Sequence, residues 1–312
     1  MTVAVKTNLA ASVRQRLLNL SRERRADFQL ILIQFAIERL LYRLGRSVYE
    51  DRFLLKGAML FSLWSKEPFR ATRDVDFLGL GDSSVPAMCK AFEEICRTAV
   101  EIDGLEFLVD SIQGKEIRDD QEYRGVRLRF DARLAGARVP IQIDIGFGDA
   151  VVPPPEVVEY PVMLDLPAPR LRAYPREVVV AEKFQAMVVL GIANSRMKDF
   201  FDLWMLASTS EFAGPRLSQS IKATFDRRKT PLPSDPPLAL TPEFHNDAGK
   251  RVQWNAFLQK GRLKIQEKEF GKVTSLLQEF LMPPTLALGT EQRFGANWPA
   301  GGPWRERPQK NG

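Results

Sequence analysis

Histidine and cysteine are almost absent from this chain of 312 residues, which contains one histidine, His245, and two cysteines. A metal centre built from several histidines and a zinc site of four cysteines are therefore excluded, as is a fold held together by disulfides. A single histidine also argues against a catalytic triad of serine, histidine and aspartate. Any chemistry must therefore depend mainly on carboxylates, lysines and arginines.

Long hydrophobic runs are missing as well. No stretch of about 18 apolar residues, the length that spans a bilayer, occurs in the sequence, and the first residues lack the apolar core of a signal peptide. The sequence therefore predicts a cytoplasmic protein with no membrane partner. The 45 basic and 39 acidic residues leave a net charge of +6, which permits a polyanionic partner without requiring one.

The residues that are present predict an α+β fold, with 45% hydrophobic residues to form its core. Apolar residues at helical spacing predict helices over 9–20, 22–45, 53–64, 87–100, 177–191, 197–208, 215–227, 246–260 and 268–281. Short apolar or alternating segments predict strands over 74–80, 105–112, 123–134 and 139–147.

Proline marks the predicted domain boundary. Seven prolines between residues 151 and 176 predict an extended connector without helix or central strand. We therefore predict an α/β domain over 1–160 and a helical domain over 161–284. The residues 285–312 are rich in glycine, proline and charge, and predict a flexible tail.

Two aspartates, Asp74 and Asp76, are the sharpest local feature. In a strand, residues two apart project from the same face, so these carboxylates lie side by side and repel each other. A divalent cation such as Mg²⁺ removes that repulsion. The pattern alone is weak, because a solvated strand end explains it too.

Asp144 strengthens the metal interpretation. It lies on the polar face of a later strand whose other face carries Ile141, Ile143 and Ile145. If that strand pairs beside the strand of Asp74 and Asp76, three carboxylates converge, as two-metal phosphoryl transfer requires. The simpler alternative is a carboxylate that solvates an exposed sheet face.

Two further groups of residues suit a nucleotide. One is Gly57, which follows Lys56: a glycine at a helix start lets backbone amides approach a phosphate closely. Arg70, Thr72 and Arg73 could bind triphosphate oxygens or form an exposed loop. A later cluster contains Lys183, Lys198, Asp199 and Asp202, and surface ion pairing is its alternative explanation.

The ordered set of these motifs resembles the AbiEii/AbiGii-type nucleotidyltransferase toxins of the DNA polymerase β-like superfamily. The motifs are Gly57, Arg70-x-Thr72-Arg73-Asp74-x-Asp76-Phe77, Asp144, Ala181-Glu182-Lys183 and the segment Lys198 to Asp202. The resemblance covers residues 50–208. It implies a polymerase β-like domain with a mixed sheet, a helical C-terminal domain and a cleft between them.

The resemblance also implies residue roles. Asp74 and Asp76 would bind Mg²⁺ or Mn²⁺, with Asp144 at the third carboxylate position, whose involvement varies. Lys183 would contact the phosphates, and Asp199, or Asp202 in its place, would complete the catalytic set. The implied nucleotide-binding residues are Lys56, Gly57, Arg70, Thr72, Arg73, Lys198 and Asp202. The phosphate-binding turn of the family usually reads Gly-Gly or Gly-Ser, and Ala58 departs from it.

The implied activity is transfer of a nucleoside monophosphate from an NTP to the 3′ end of tRNA. Such an enzyme blocks translation as the toxin of a toxin–antitoxin or phage-defence system, beside an antitoxin with a winged-helix domain. Two alternatives stay open: modification of a protein or small molecule, and an inactive nucleotide-binding or partner-binding module.

Overall fold

The computed structural model of the chain describes residues 3–64, 72–119, 123–261 and 267–306. The chain divides into two units. Unit 1 contains Met1–Asp149 and Pro155–Tyr174, and unit 2 contains Ala150–Pro154 and Pro175–Gly312. No helix within the described ranges is both long and apolar enough to cross a bilayer.

Unit 1 is a mixed sheet with helices. Its elements are α1 Val3–Glu23, α2 Phe28–Leu44, β1 Phe53–Lys56, α3 Phe61–Trp64, β2 Asp74–Gly79, α4 Val85–Arg97, β3 Leu105–Asp119, β4 Tyr123–Leu134, β5 Ala137–Phe147, β6 Glu156–Glu159 and β7 Arg170–Ala173. Within the described residues the strand order is β3-β4-β5-β2-β1-β7-β6. β2 runs antiparallel to β1 and parallel to β5, which makes the sheet mixed, as predicted.

One face of the sheet forms the core of unit 1. The alternate residues Val75 and Phe77 of β2 are buried, as are the inward residues of β5. The Phe92 ring of α4 lies 5.0 Å from the Phe53 ring and 6.1 Å from the Phe77 ring, between centroids. α4 begins at the N-cap Ser84, whose Oγ accepts a hydrogen bond from a first-turn N–H group. The opposite face of the sheet is therefore left for polar side chains.

The predicted helix over 53–64 is wrong. Its first four residues form strand β1, a 3₁₀ turn follows over Gly57–Leu60, and only α3 is helical. The first three residues of β1 are buried, so β1 shows no alternation that would distinguish it from a buried helix. Gly57 then has a φ of +75°, which no α-helix accommodates.

The prediction of a connector without a central strand is also wrong. β6 and β7 both lie within 151–176, and β7 is an interior strand between β1 and β6. The four residues of β7 contain no proline and lie between Pro169 and Pro175, so their backbone groups are free to pair on both sides.

Unit 2 is mainly helical. Its elements are α5 Arg176–Leu190, α6 Met197–Thr209, β8 Phe212–Ala213, α7 Gly214–Arg227, α8 Pro242–Asn246, α9 Ala248–Gly261, α10 Phe270–Gly289 and β9 Asn297–Trp298. Stacked rings hold helices of this core together, with Phe200 against Phe244 at 5.4 Å and Trp254 against Phe270 at 4.9 Å. In place of the flexible tail that composition predicts, α10 continues to Gly289 and β9 pairs with β8.

Candidate active site

A row of charged side chains crosses four neighbouring strands of the sheet in unit 1. From β4 through β5 and β2 to β1, the row consists of Arg127, Asp144, Asp76 and Lys56. Residues directly opposite one another project from the same face, so the four side chains share the polar face. Along the row the charges are plus, minus, minus and plus, so two adjacent carboxylates lie between two cations. The strand of Asp144 does pair beside the strand of Asp74 and Asp76, which is the condition that the sequence left open.

Asp74 lies two residues before Asp76 on the same face, opposite Gln142 of β5. The Thr72 hydroxyl donates to Asp74 Oδ1 at 2.5 Å, and this threonine is buried. The hydrogen bond holds the Asp74 carboxylate in one orientation. Asp74 and Asp76 are both half-buried, so their carboxylates remain accessible from the polar face.

Gly57 brings its backbone against the Asp76 side chain. A Cβ added at Gly57 would lie 2.7 Å from Cγ of Asp76, closer than carbon atoms pack. The positive φ of Gly57 is a second reason for glycine. The backbone of the turn before α3 therefore packs directly against the Asp76 carboxylate.

Lys56 is held at the edge of this site. Its Nζ makes an ion pair with Asp149 at 2.9 Å and lies 5.7 Å from the centroid of the Tyr174 ring. A Cβ added at Gly146 would lie 3.4 Å from this Nζ, so the ammonium group passes over β5. Sequence reasoning missed Asp149, because no motif connects it with Lys56.

Asp144 is paired with Arg127, the second residue that sequence reasoning missed. The Nε and Nη2 of Arg127 donate to Oδ1 and Oδ2 of Asp144, each at 2.6 Å. The Asp144 carboxylate, and more weakly those of Asp74 and Asp76, raise the pKa of the Arg127 guanidinium. The three carboxylates are neighbours, but the part of the chain that the structure describes contains no group of three acidic, histidine or cysteine side chains arranged to hold a metal ion.

A second cluster lies in unit 2, between α5 and α6. The Nζ of Lys183 makes ion pairs with Asp199 at 2.5 Å and with Asp202 at 2.9 Å. Asp199 and Asp202 are three residues apart on α6, so both face α5. The Asp202 side chain is completely buried, whereas 8% of the Asp199 side chain is exposed.

Three further residues were predicted to bind the nucleotide. Arg73 and Lys198 are exposed. Arg70 lies outside the described residues. The predicted cleft between the two domains stays a prediction.

Fold and sheet site together define the class of the protein. A mixed sheet that carries paired aspartates on one strand, with a glycine turn against them and a helical region after it, is the arrangement of a nucleotidyltransferase.

Comparison with known proteins gives the family. The family profile described as nucleotidyl transferase AbiEii toxin, type IV toxin–antitoxin system, matches residues 39–274. The chain therefore belongs to the AbiEii nucleotidyl transferase family. No curated protein sequence matches it.

Two solved structures resemble the fold. A provisionally named nucleotidyltransferase from H. pylori has 14% identity and a TM-score of 0.49, with 86% of this chain and 100% of that chain covered. JHP933 from Helicobacter pylori has 15% identity and a TM-score of 0.48, with 86% and 99% covered.

Proposed function

We propose that this protein is a Mg²⁺-dependent toxin that transfers a nucleoside monophosphate from an NTP to the 3′ end of tRNA and so blocks translation. The observation that carries the proposal is the close contact between the Gly57 turn and Asp76, because it brings a backbone suited to phosphate beside one of two carboxylates suited to a hard cation.

The residues of the sheet fit a divalent cation. Asp74 and Asp76 offer half-exposed carboxylate oxygens on one face, and Thr72 fixes the orientation of Asp74. Mg²⁺ commonly takes one or two carboxylates and completes its shell with water and substrate phosphates. When bound, it would neutralise charge on the reacting phosphates. Mn²⁺ offers the same oxygen chemistry.

The protein groups around this pair would bind and orient the NTP. The backbone at Gly57 can approach the phosphate oxygens because no side chain intervenes. Lys56, and the exposed Arg73 if it turns towards the site, would supply positive charge to the triphosphate. The terminal hydroxyl of the acceptor then attacks the α-phosphorus in line, and pyrophosphate leaves.

The cluster of unit 2 would supply Lys183 to the phosphates. We assign different roles to its two aspartates on the basis of burial. Both are buried, but the Asp202 side chain has no exposed surface and positions Lys183, whereas 8% of the Asp199 side chain is exposed and can also contact the substrate. We therefore expect Asp199→Asn to abolish transfer and to lower the free energy of unfolding by less than Asp202→Asn does. Asp202→Asn should lower both activity and the free energy of unfolding, the latter by about 3 kcal/mol. Equal effects of the two substitutions on thermal unfolding would contradict this division.

The family also implies an antitoxin, because its description is that of a toxin–antitoxin system. We propose that the cognate antitoxin contains a winged-helix domain, that the pair acts in the cytoplasm and that it serves in phage defence. Co-expression tests the first part: growth should be restored by the neighbouring winged-helix gene product.

The enzymatic proposal is tested with the purified full chain, the four α-³²P-labelled NTPs, Mg²⁺ and total tRNA. We expect label in tRNA, lost on addition of EDTA and in Asp74→Asn and Asp76→Asn. Asp131→Asn is the matched control, because Asp131 lies on the same face of the sheet, paired with Arg138 at 2.8 Å. It should remain active.

The same assay separates the alternatives by acceptor. Label in a protein or a small molecule would show that this molecule, and not tRNA, is the acceptor. The proposed nucleotidyltransferase activity would then still hold. Absence of label in every acceptor, together with toxicity that survives Asp74→Asn, would instead indicate an inactive binding module.

A further inference from the structure

The register of β4 against β5 places Arg127 directly opposite Asp144, in the row of charged side chains that crosses the sheet. Its neighbours along β4, Val126 and Leu128, are buried in the core, so a shift by one residue would bury the guanidinium. Both of its hydrogen bonds to Asp144 are 2.6 Å long. A bidentate pair of this kind is among the strongest hydrogen-bonded arrangements that two charged side chains form.

The pairing bears directly on how many cations the site can hold. Both oxygens of Asp144 accept from Arg127, and a guanidinium cannot lose its proton to make room. A cation on Asp144 would have to share both oxygens with the guanidinium, weaken two charge-assisted hydrogen bonds and lie beside a fixed positive charge. A cation on Asp74 would not meet this fixed positive charge in the same way. The described hydrogen-bond partner of Asp74 is the neutral hydroxyl of Thr72.

We propose that Arg127, rather than a second divalent cation, neutralises Asp144, so that the strand site holds a single divalent cation on Asp74 and Asp76. The inference rests on the proposed function, because it concerns the cation of that reaction. Asp144 is then a positioning residue that keeps the guanidinium beside Asp76. Arg127 has five N–H donors, of which Asp144 takes two, so the others can bind anionic oxygens of the substrate.

The number of Mn²⁺ ions bound by the full chain tests the proposal, counted from the electron paramagnetic resonance signal of free Mn²⁺. The wild type should bind one ion. Arg127→Met frees both oxygens of Asp144 and should add a second ion. The double variant Arg127→Met with Asp144→Asn removes the pair without changing the net charge. It should bind one ion with the Kd of the wild type.

The matched control is Arg129→Met. Arg129 lies two residues along β4 on the same face, is exposed, and donates to the neutral Gln142 at 3.0 Å. Its loss changes the charge of the face by the same amount and should leave one ion bound. A second ion in this control would overturn the proposal, because a general charge effect would explain the gain.

Two other results would overturn it: two ions on the wild type, or a double variant that binds Mn²⁺ about ten-fold or more weakly. Either result leaves the proposed function standing, since the protein still binds its cation. Absence of Mn²⁺ from the wild type would instead overturn both. Circular dichroism checks the fold of each variant, and if Arg127→Met does not fold, the double variant decides.

Discussion

At the scale of the residue, Gly57 shows two requirements meeting at one position. Its φ of +75° disfavours any side chain, and the space where a Cβ would lie is taken by the Asp76 carboxylate. A mutation there would therefore strain the backbone and displace Asp76. The two effects can be separated, because other glycines of the chain share only the first.

We predict that Gly57→Ala lowers nucleotidyl transfer by about ten-fold or more, the scale on which loss of a charge-stabilising contact acts. Gly136→Ala is the control, since Gly136 has a φ of +80° with no atom within 4 Å of an added Cβ. Both variants should lose about 1–2 kcal/mol of stability to backbone strain. Gly57→Ala should lose more than this in total, because its Cβ displaces the Asp76 carboxylate. Steady-state kinetics and thermal unfolding measure the two effects, and equal activities of the two variants would contradict the prediction.

At the scale of the element, helix α2 forms hydrogen bonds that order the proline-rich segment between β6 and β7. Glu38 and Arg39 are both buried in it and form an ion pair at 3.2 Å. Glu38 accepts a hydrogen bond from the Met163 N–H group, and Arg39 donates to the Pro167 carbonyl, each at 2.8 Å. The proline-rich segment is therefore ordered by two buried polar side chains, which hydrophobic periodicity does not reveal.

We predict that Glu38 makes the stability of the protein fall as the pH rises. Burial raises the pKa of Glu38 from 4.5 to about 7, despite the opposing Met163 N–H group and Arg39. Between these pH values the folded state keeps a proton that the unfolded state has lost, so the stabilising contribution is full below the lower value and lost above the upper one. Up to about 3 kcal/mol depends on this titration.

Denaturant unfolding of the wild type and of Glu38→Gln over this pH range measures the effect. The difference between the two free energies of unfolding should change with pH as described. Glu101→Gln is the control, because Tyr42 lowers the pKa of this exposed carboxylate. It therefore titrates below the range. Parallel pH profiles for the wild type and Glu38→Gln would refute the assignment.

At the scale of the whole molecule, the end of the described chain is built into unit 2. Trp298 is fully buried, its Nε1 donates to the Ala207 carbonyl at 2.7 Å, and its ring lies 5.0 Å from that of Phe280. Glycine, proline and charge in this segment suggested a flexible tail. The segment is instead ordered by the burial of Trp298, a contact that amino-acid composition cannot predict.

We predict that Trp298→Ala lowers the free energy of unfolding by about 3–5 kcal/mol, because it leaves a cavity in the core of unit 2 and removes one hydrogen bond to the Ala207 carbonyl. Leu286→Ala on α10 is the control, since 42% of Leu286 is exposed, and should cost less than about 1 kcal/mol. Urea unfolding followed by circular dichroism gives both values. A small effect at Trp298 would mean that the segment contributes little to the fold.

The sequence by itself determined the fold class, most of the helices and strands, and the family. Period-two and helical patterns are local, so β4 could be predicted from Tyr123 to Leu134, the bounds that the structure has. The spacing of Asp74 and Asp76 was likewise local, and it fixed their common face.

Only the tertiary structure decided which partner each charge has. Strand order and register place Arg127 opposite Asp144. Tertiary packing brings Lys56 into an ion pair with Asp149, and Lys183 into ion pairs with Asp199 and Asp202. β1 could not be predicted from hydrophobic periodicity, because its first three residues are all buried and show no alternation. These contacts join residues far apart in sequence, and a charged side chain on a polar face carries no local signal of the residue that will neutralise it.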